Sequence, residues 1–430
     1  MRPGYAPLVC LLAVGCGTAA LEVTPPDGKQ PVDTSIPSVP PGDSRGDSAD
    51  TGETGDTGGV DDATWQTGFF SDAVVHEVAI TLSDASWSAL VADPYEFTVG
   101  DVSFDGESVS GSGVRLRGKV GSFRPIDQKP KFKFDFGEFI DGQDLHGLKA
   151  IALNNEVVDC SYLKEPVAYR IFRDAGIPAP RTSFAHVRVN GEDYGLYVVI
   201  EVPDSRFLSD RLPGDDSGQL YDGKYVYYDD GTYTMLDFAN QVDDLFQLEE
   251  GVPDGNAEIV TVSNRILATP PGFQSAMSDL VDWDELHTVF AVEQWIGHVD
   301  GYAMDRNNYR AYFRPSDQKM ILIPWDFDYA FIEDYQWGMS WSRPAGAIAH
   351  YCWVDADCYA SQTASMSALL GLVDTDSVLA DYDAMAELTH DLAKDDPRRE
   401  CAAPSVRQER ASVRSWIEGR TAAMQGLWGL

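Results

Sequence analysis

Basic side chains are scarce in this chain: 32 Lys and Arg stand against 69 Asp and Glu, a formal net charge of −37. A phosphate backbone attracts surfaces rich in Lys and Arg, so nucleic acid is excluded as a principal partner. An anionic membrane surface is disfavoured for the same reason. The apolar run at residues 5–14 is too short to span a bilayer. No cysteines stand at the C-x-x-C spacing of a zinc site, and no repeat occurs beyond one low-complexity stretch. What is present, 43% hydrophobic and 11% aromatic residues, is ample for a sizeable core.

The N-terminus reads as an address. Arg2, the run 5–14 and then Gly15-Cys16 look like a bacterial lipoprotein signal over residues 1–16, with Cys16 as the lipidated residue. The alternative is an ordinary signal cleaved near Ala19 or Ala20. Either way export is expected, with the protein lipid-anchored to the cell envelope (outer membrane or cell surface) or otherwise secreted. Residues 17–64 are mostly Pro, Gly, Ser, Thr and acid, with too little apolar surface to offset their chain entropy. They read as a disordered, self-repelling acidic linker, and residues 65–430 as one folded domain.

Cysteine usage agrees with an oxidising compartment. Setting aside Cys10 and Cys16 leaves an even set, Cys160, Cys352, Cys358 and Cys401. Cys352 and Cys358 flank a loop short enough to close, and Cys160 with Cys401 would then staple the late helical segment to the core. Four cysteines allow three connectivities, and the sequence does not choose among them.

Periodicity predicts strands at 74–82, 113–118, 129–136 and 148–153, and a helix at 161–175 ended by Gly176 and Pro178. A hairpin is predicted with Asn190-Gly191 between 182–189 and 194–202. Later segments, 273–298, 361–392 and 405–427, read as helical. Early strands and late helices make an α+β domain. In KPKFKFDF, period two places Lys129, Lys131 and Lys133 on one strand face.

The chemistry concentrates between Gly297 and Phe331. His298-Val299-Asp300 and a polar group, Asp305, Asn307 and Asn308, precede a strand pair ending in Trp325-Asp326-Phe327-Asp328. A carboxylate, then amides, then carboxylates after an apolar strand suit phosphoryl transfer, where one Asp orients the hydroxyl and the others hold Mg²⁺ on the phosphates. Protein kinases use H-R-D-x-x-x-x-N and D-F-G; where their Asn would stand, this chain has Asp305. Carboxylates at the end of the buried strand MILIPW are costly unless they hold a cation or are fully hydrogen-bonded.

This stretch resembles the bacterial spore-coat CotH kinase family, whose members carry a D-G…N-N-Y-Y-L-Y loop and then I-P-W-D-x-D. Three further blocks are similar to that family in the same order: RLRGKVGSFRPIDQKPKFKFDF, LNNEVVDCSYLKEPVAYRIFRDAGIPAPR and VNGEDYGLYVVIEVPDSRFL. The resemblance implies a two-lobed, atypical protein-kinase-like domain that transfers a phosphoryl group from ATP, with Mg²⁺ or Mn²⁺, to an unidentified secreted or surface protein. It implies Asp300 as catalytic base and Asp326, Asn308, Asp328 and Asp305 as metal ligands. Lys129 and Lys133 match the family's K-P-x-F-K positions, and the resemblance implies that one of the two contacts the phosphates. Glu165 matches by position in its block as the acid that holds the lysine, with Pro166 directly after it; Glu201 is the second candidate, near the adenine or as ion-pair partner. His298 reads as a brace. The reading from a different class is a catalytically silent binding, adhesion or structural module on the same fold.

Overall fold

The structure, a computed structural model, describes residues 61–119, 121–223, 225–227, 232–240, 242–268 and 271–430. The signal at 1–16 and nearly all of the linker at 17–64 lie outside the described residues. Within that linker, helix α1 (Asp62–Phe69) begins behind Asp61, whose carboxylate caps the Thr64 amide.

The first half is dominated by strands: β1 (Val75–Thr81), helix α2 (Asp84–Ala92) capped by Ser83, then β2 (Thr98–Phe104), β3 (Glu107–Arg117), β4 (Lys131–Asp135) and β5 (Ala150–Asn154). Helix α3 (Lys164–Asp174) precedes β6 (Thr182–Val189) and β7 (Glu192–Glu201). These seven strands close a barrel in the order β1-β2-β3-β4-β5-β7-β6, sealed by parallel pairing of β1 with β6. The β6–β7 turn is Asn190-Gly191, with φ of +49° and +83°, the left-handed pair that a two-residue hairpin requires. Val114, Leu116, Phe132, Phe134, Ile151 and Leu153 belong to one barrel core. Period two therefore sends Arg115, Arg117, Lys131 and Lys133 to the opposite face of β3 and β4.

The second half mixes short strands with helices. Helix α4 (Ser205–Arg211) leads to β8 (Gln219–Gly223), β9 (Tyr225–Tyr227), β10 (Tyr233–Met235) and β11 (Gln247–Glu250). Helices α5 (Ala257–Leu267), α6 (Phe273–Met277), α7 (Trp283–Ile296) and α8 (Tyr302–Asp305) follow, then β12 (Tyr309–Phe313) and β13 (Met320–Pro324). The sheet β11-β8-β12-β13 has its two last strands buried at every position. Helices α9 (Ala347–Val354), α10 (Ala356–Leu372), α11 (Thr375–Leu388), α12 (His390–Asp395) and α13 (Ala403–Trp428) complete the chain. A large core joins α3 and the outer side of β5 and β7 to α7, α10 and α13.

Two expected long helices are each divided. The segment 273–298 breaks between α6 and α7, where Val281 bridges to Met320 of β13 and Asp282 caps α7. The segment 361–392 breaks at Asp374, which caps α11. Pro166 does not kink α3: it falls in the first turn, where amides have no helical partner to lose.

Residues 396–401 form a strap from the helical part back to the barrel. Asp396 accepts from Lys129, the Tyr162 hydroxyl and the Leu196 amide. Arg398 lies over the Tyr194 ring at 3.5 Å and donates to the carbonyls of Asp127, Gln128 and Asp193. Gly195, at φ +84°, is needed there, because a Cβ would fall 2.1 Å from Asp396. The strap ends in the disulfide Cys160–Cys401; the second disulfide joins Cys352 to Cys358.

Candidate active site

A cavity of about 480 Å³ opens between the outer face of β3 to β5 and the segment 300–329. Its roof carries cations in a ladder. Arg115 faces Lys133 and Arg117 faces Lys131 as cross-strand partners on β3 and β4. Like charges directly opposite each other destabilise a sheet, so each rung needs an anion.

The Arg117–Lys131 rung has its anions. Lys131 Nζ lies 3.1 Å from Asp326 Oδ2 and 3.1 Å from Asp328 Oδ2, fully buried. Burial alone would lower the Lys131 ammonium, but the two carboxylates hold it above its ordinary value. Burial would likewise raise Asp326; Lys131 and Arg117 outweigh it and hold that carboxyl below its usual range. Asp328 moves the other way, raised by burial and by the neighbouring Asp326 charge. Arg117 also donates to Asn154 Oδ1 and rests over the Trp325 ring, whose other close guanidinium is Arg310.

Glu165 stands behind this group. Its carboxylate accepts from Asn154 Nδ2 at 2.9 and 2.7 Å and from the Phe327 amide at 3.3 Å. It fixes the backbone between the two aspartates, and burial pushes its pKa up. Asp326 itself has φ +51°, and its amide donates to the Tyr169 hydroxyl. His298 holds the same turn through Nε2, 3.1 Å from the Asp326 carbonyl. Burial lowers His298 to about 4, so it is a neutral brace near pH 7, as expected.

Asp300 closes the floor. Asn307 Nδ2 donates to its Oδ1 at 3.2 Å, and Asn308 Nδ2 to its Oδ2 at 2.8 Å. Burial pushes the Asp300 carboxyl well above the usual range, and Asn307 opposes this. Asn308 has φ +53° and its carbonyl accepts from the Trp325 amide, which ties the amide loop to the strand end bearing the aspartates. Glu293 of α7 accepts from the amides of Tyr302 and Ala303 and so anchors the loop that follows Asp300. Asp305 lines the cavity, half-buried, and burial raises it.

Most of the sequence-derived candidates thus meet around one cavity: Asp300, Asp305, Asn308, Asp326, Asp328 and Lys133 line it, and Glu165 buttresses it. Two do not. Lys129 precedes β4, and its ammonium is buried against Asp396 with the rings of Tyr162 and Tyr197 at 4.9 and 5.1 Å. The alternation of β4 does not reach Lys129, since the strand begins only at Lys131. Glu201 is committed to Arg181 and Arg211, at 2.5 and 2.6 Å, while its neighbour Val202 faces the cavity. Residues that sequence reasoning passed over are Arg115, Arg117 and Arg310, with Lys131 as the lysine that reaches the aspartates. The alternation Arg115-Leu116-Arg117 matches Lys131-Phe132-Lys133 and was the available signal.

The donor set suits a hard divalent cation: carboxylate oxygens of the half-buried Asp326 and the buried Asp328, and the amide oxygen of Asn308, whose nitrogen is engaged by Asp300. Elsewhere, His287 lies 4.0 Å from Cys358 Sγ, but that sulfur is bonded to Cys352 and offers no thiolate to a metal.

The profile of a family described as CotH kinase protein matches residues 114–423. The chain is 24% identical over 196 residues to the inner spore coat protein H of Bacillus subtilis (strain 168), covering 44% of this chain and 52% of that protein. The matched chain thus spans about half the length of that curated relative. Among solved structures it is similar to a complex of the Shewanella oneidensis MR-1 toxin–antitoxin system HipA, HipB and its operator DNA. There the identity is 14%, the match covers 65% of this chain and 60% of that chain, and the TM-score is 0.28, too low to carry a structural argument.

Proposed function

The chain belongs to the CotH kinase family, and from that premise we propose that it transfers the γ-phosphoryl group of ATP to a hydroxyl of a secreted or surface protein. The observation that carries this reading is the Lys131–Asp326–Asp328 group, buttressed by Glu165, in the same cavity as Asp300 with its two amide donors. On this reading the barrel and the helical part act as two lobes around the donor.

Asp326, Asp328 and the Asn308 amide oxygen would hold Mg²⁺ or Mn²⁺. When bound there, the ion supplies positive charge to the donor phosphates. Lys131, released from part of its carboxylate pairing, contacts the same phosphates, as a strand lysine does in other kinases. Asp300 orients the acceptor hydroxyl and takes its proton; the Asn307 and Asn308 amides fix the carboxylate in one orientation and favour its charged form. Arg117, stacked on the Trp325 ring, lines the cavity beside Asp326.

Export and a lipid anchor at Cys16 complete the proposal, with the segment before the barrel as a spacer. The direct test incubates the purified protein with labelled ATP and each divalent metal and follows phosphate incorporation. If no divalent metal allows ATP to stabilise the protein or label it, the kinase reading fails and a silent binding module takes its place.

A further inference from the structure

We propose a second phosphate-binding subsite in the same cavity, formed by Arg115, Lys133 and Arg310 and separate from the carboxylates at Asp326 and Asp328. It rests on the phosphoryl-transfer reading of this cavity and adds to it a place for another phosphate group.

The argument starts from the ladder. Its two rungs are two residues apart on each strand, roughly 7 Å at about 3.4 Å per residue. The Arg117–Lys131 rung is matched by Asp326 and Asp328. Along the strands the Arg115–Lys133 rung is not matched in this way. Among the described residues, no hydrogen bond or ion pair reaches the Lys133 ammonium. Burial and the facing Arg115 both act to drive the proton off Lys133.

A third cation approaches from the other side of the cavity. Arg310 of β12 is 9% exposed, and its Nε and Nη1 make no hydrogen bond. The Arg115 Nε is buried and likewise without a hydrogen bond. Three cations from three strands therefore share the space, with Asp222 3.6 Å from Arg310 Nη1 and, at longer range, Glu249 acting on Arg115 and Lys133, Glu96 on Arg115 and Asp135 on Lys133. Buried guanidinium donors without partners cost stability, and a like-charged cross-strand pair adds to that cost. A multidentate oxyanion relieves both at once. Phosphate has the charge and the acceptor oxygens to engage two guanidinium groups and an ammonium together. The phosphate could come from the donor's own chain or from an acceptor already phosphorylated nearby; the chemistry of the subsite is the same.

Calorimetry of the full chain without divalent metal, using inorganic phosphate and O-phosphoserine, tests this. Wild type is expected to bind both, and Lys133→Met and Arg115→Met each to weaken binding by roughly tenfold or more, the worth of one charge-assisted contact. Lys133→Met should also raise the melting temperature of the ligand-free protein, because the cation facing Arg115 across the rung is removed; a merely structural lysine would lower it. Displacement of O-phosphoserine by saturating Mg-ATP assigns the subsite to the donor, and simultaneous binding assigns it to the acceptor. Phosphate affinity unchanged in both variants, or no phosphate binding by wild type, overturns the subsite even if Mg-ATP turnover is intact. Lost Mg-ATP binding with phosphate binding retained sinks the kinase reading and leaves the subsite standing.

Discussion

Lys131 Nζ and Asp326 Oδ2 meet at 3.1 Å although 195 residues of chain separate them. The contact joins the outer face of the barrel to the end of β13, with Lys131 buried and Asp326 half-buried among further charges. Removing one side of such a pair leaves the other uncompensated.

The two aspartates of the proposed mechanism should fail differently. Asp326→Ala is expected to lose metal-dependent ATP binding, read as the loss of the thermal shift with ATP and Mg²⁺. Asp300→Ala should keep most of that shift and lose phosphate incorporation by 10²-fold or more, on the order of a positioned general base. Equal loss of binding in both variants would contradict the division of roles.

Lys129→Met should act on stability alone. It leaves the Asp396 carboxylate buried without its ammonium, a cost of about 3–5 kcal/mol. Denaturant unfolding reads that loss, while ATP affinity per folded molecule stays at the wild-type value. A specific loss of ATP affinity would return Lys129 to the site.

Reduction should reveal two unequal disulfides. Cys160–Cys401 closes a sequence separation of 241 and Cys352–Cys358 one of 6. In the chain-entropy account the long loop stabilises by roughly 5.5 kcal/mol and the short one by less. Cys160→Ser with Cys401→Ser should therefore lower the melting temperature more than Cys352→Ser with Cys358→Ser. Four alkylatable thiols in the unreduced native protein would refute both bonds.

Stability should fall as pH rises from 5 to 8. Burial raises Glu293 to about 7, and Asp237 and Asp204 to about 6. An acid whose folded pKa lies above its unfolded value binds more protons when folded. Its stabilisation is complete below about pH 4 and is lost as pH passes the folded value. Glu293→Gln keeps an oxygen for the Tyr302 and Ala303 amides and removes the charge, so it should flatten the decline between pH 6 and 8. An unaltered melting profile would show that Glu293 does not titrate there.

Lipid anchoring is a separate proposal. Cys16→Ser should release the protein from the membrane fraction. Unchanged partition, with a mature N-terminus at another residue, would remove the anchor.

Local chemistry made part of this site legible in the sequence. Asn190-Gly191 announced its hairpin, because only certain residues take two left-handed positions in a row. The aspartates after β13 stood out because an apolar strand leads directly into them. Lys129 and Glu201 were misplaced for one reason. Alternation says which residues share a face but not where a strand begins, nor which distant charge waits on the other side. Lys129 finds Asp396 across 267 residues, and Glu201 finds Arg181 and Arg211 outside its own strand. The arginine rungs were readable as alternation, yet only the register of β3 on β4 sets them opposite the lysines.

The strap at residues 396–401 has a bearing on the order in which the molecule forms. The barrel strands are all complete by Glu201, yet the direct ion-pair partner of Lys129, Asp396, lies 267 residues further along the chain. The amide of Leu196 and the ring of Tyr194 also wait for that segment. Until that segment is in place the barrel would bury the Lys129 ammonium without its ion-pair partner, so the stability of the barrel depends on a segment made long after its strands.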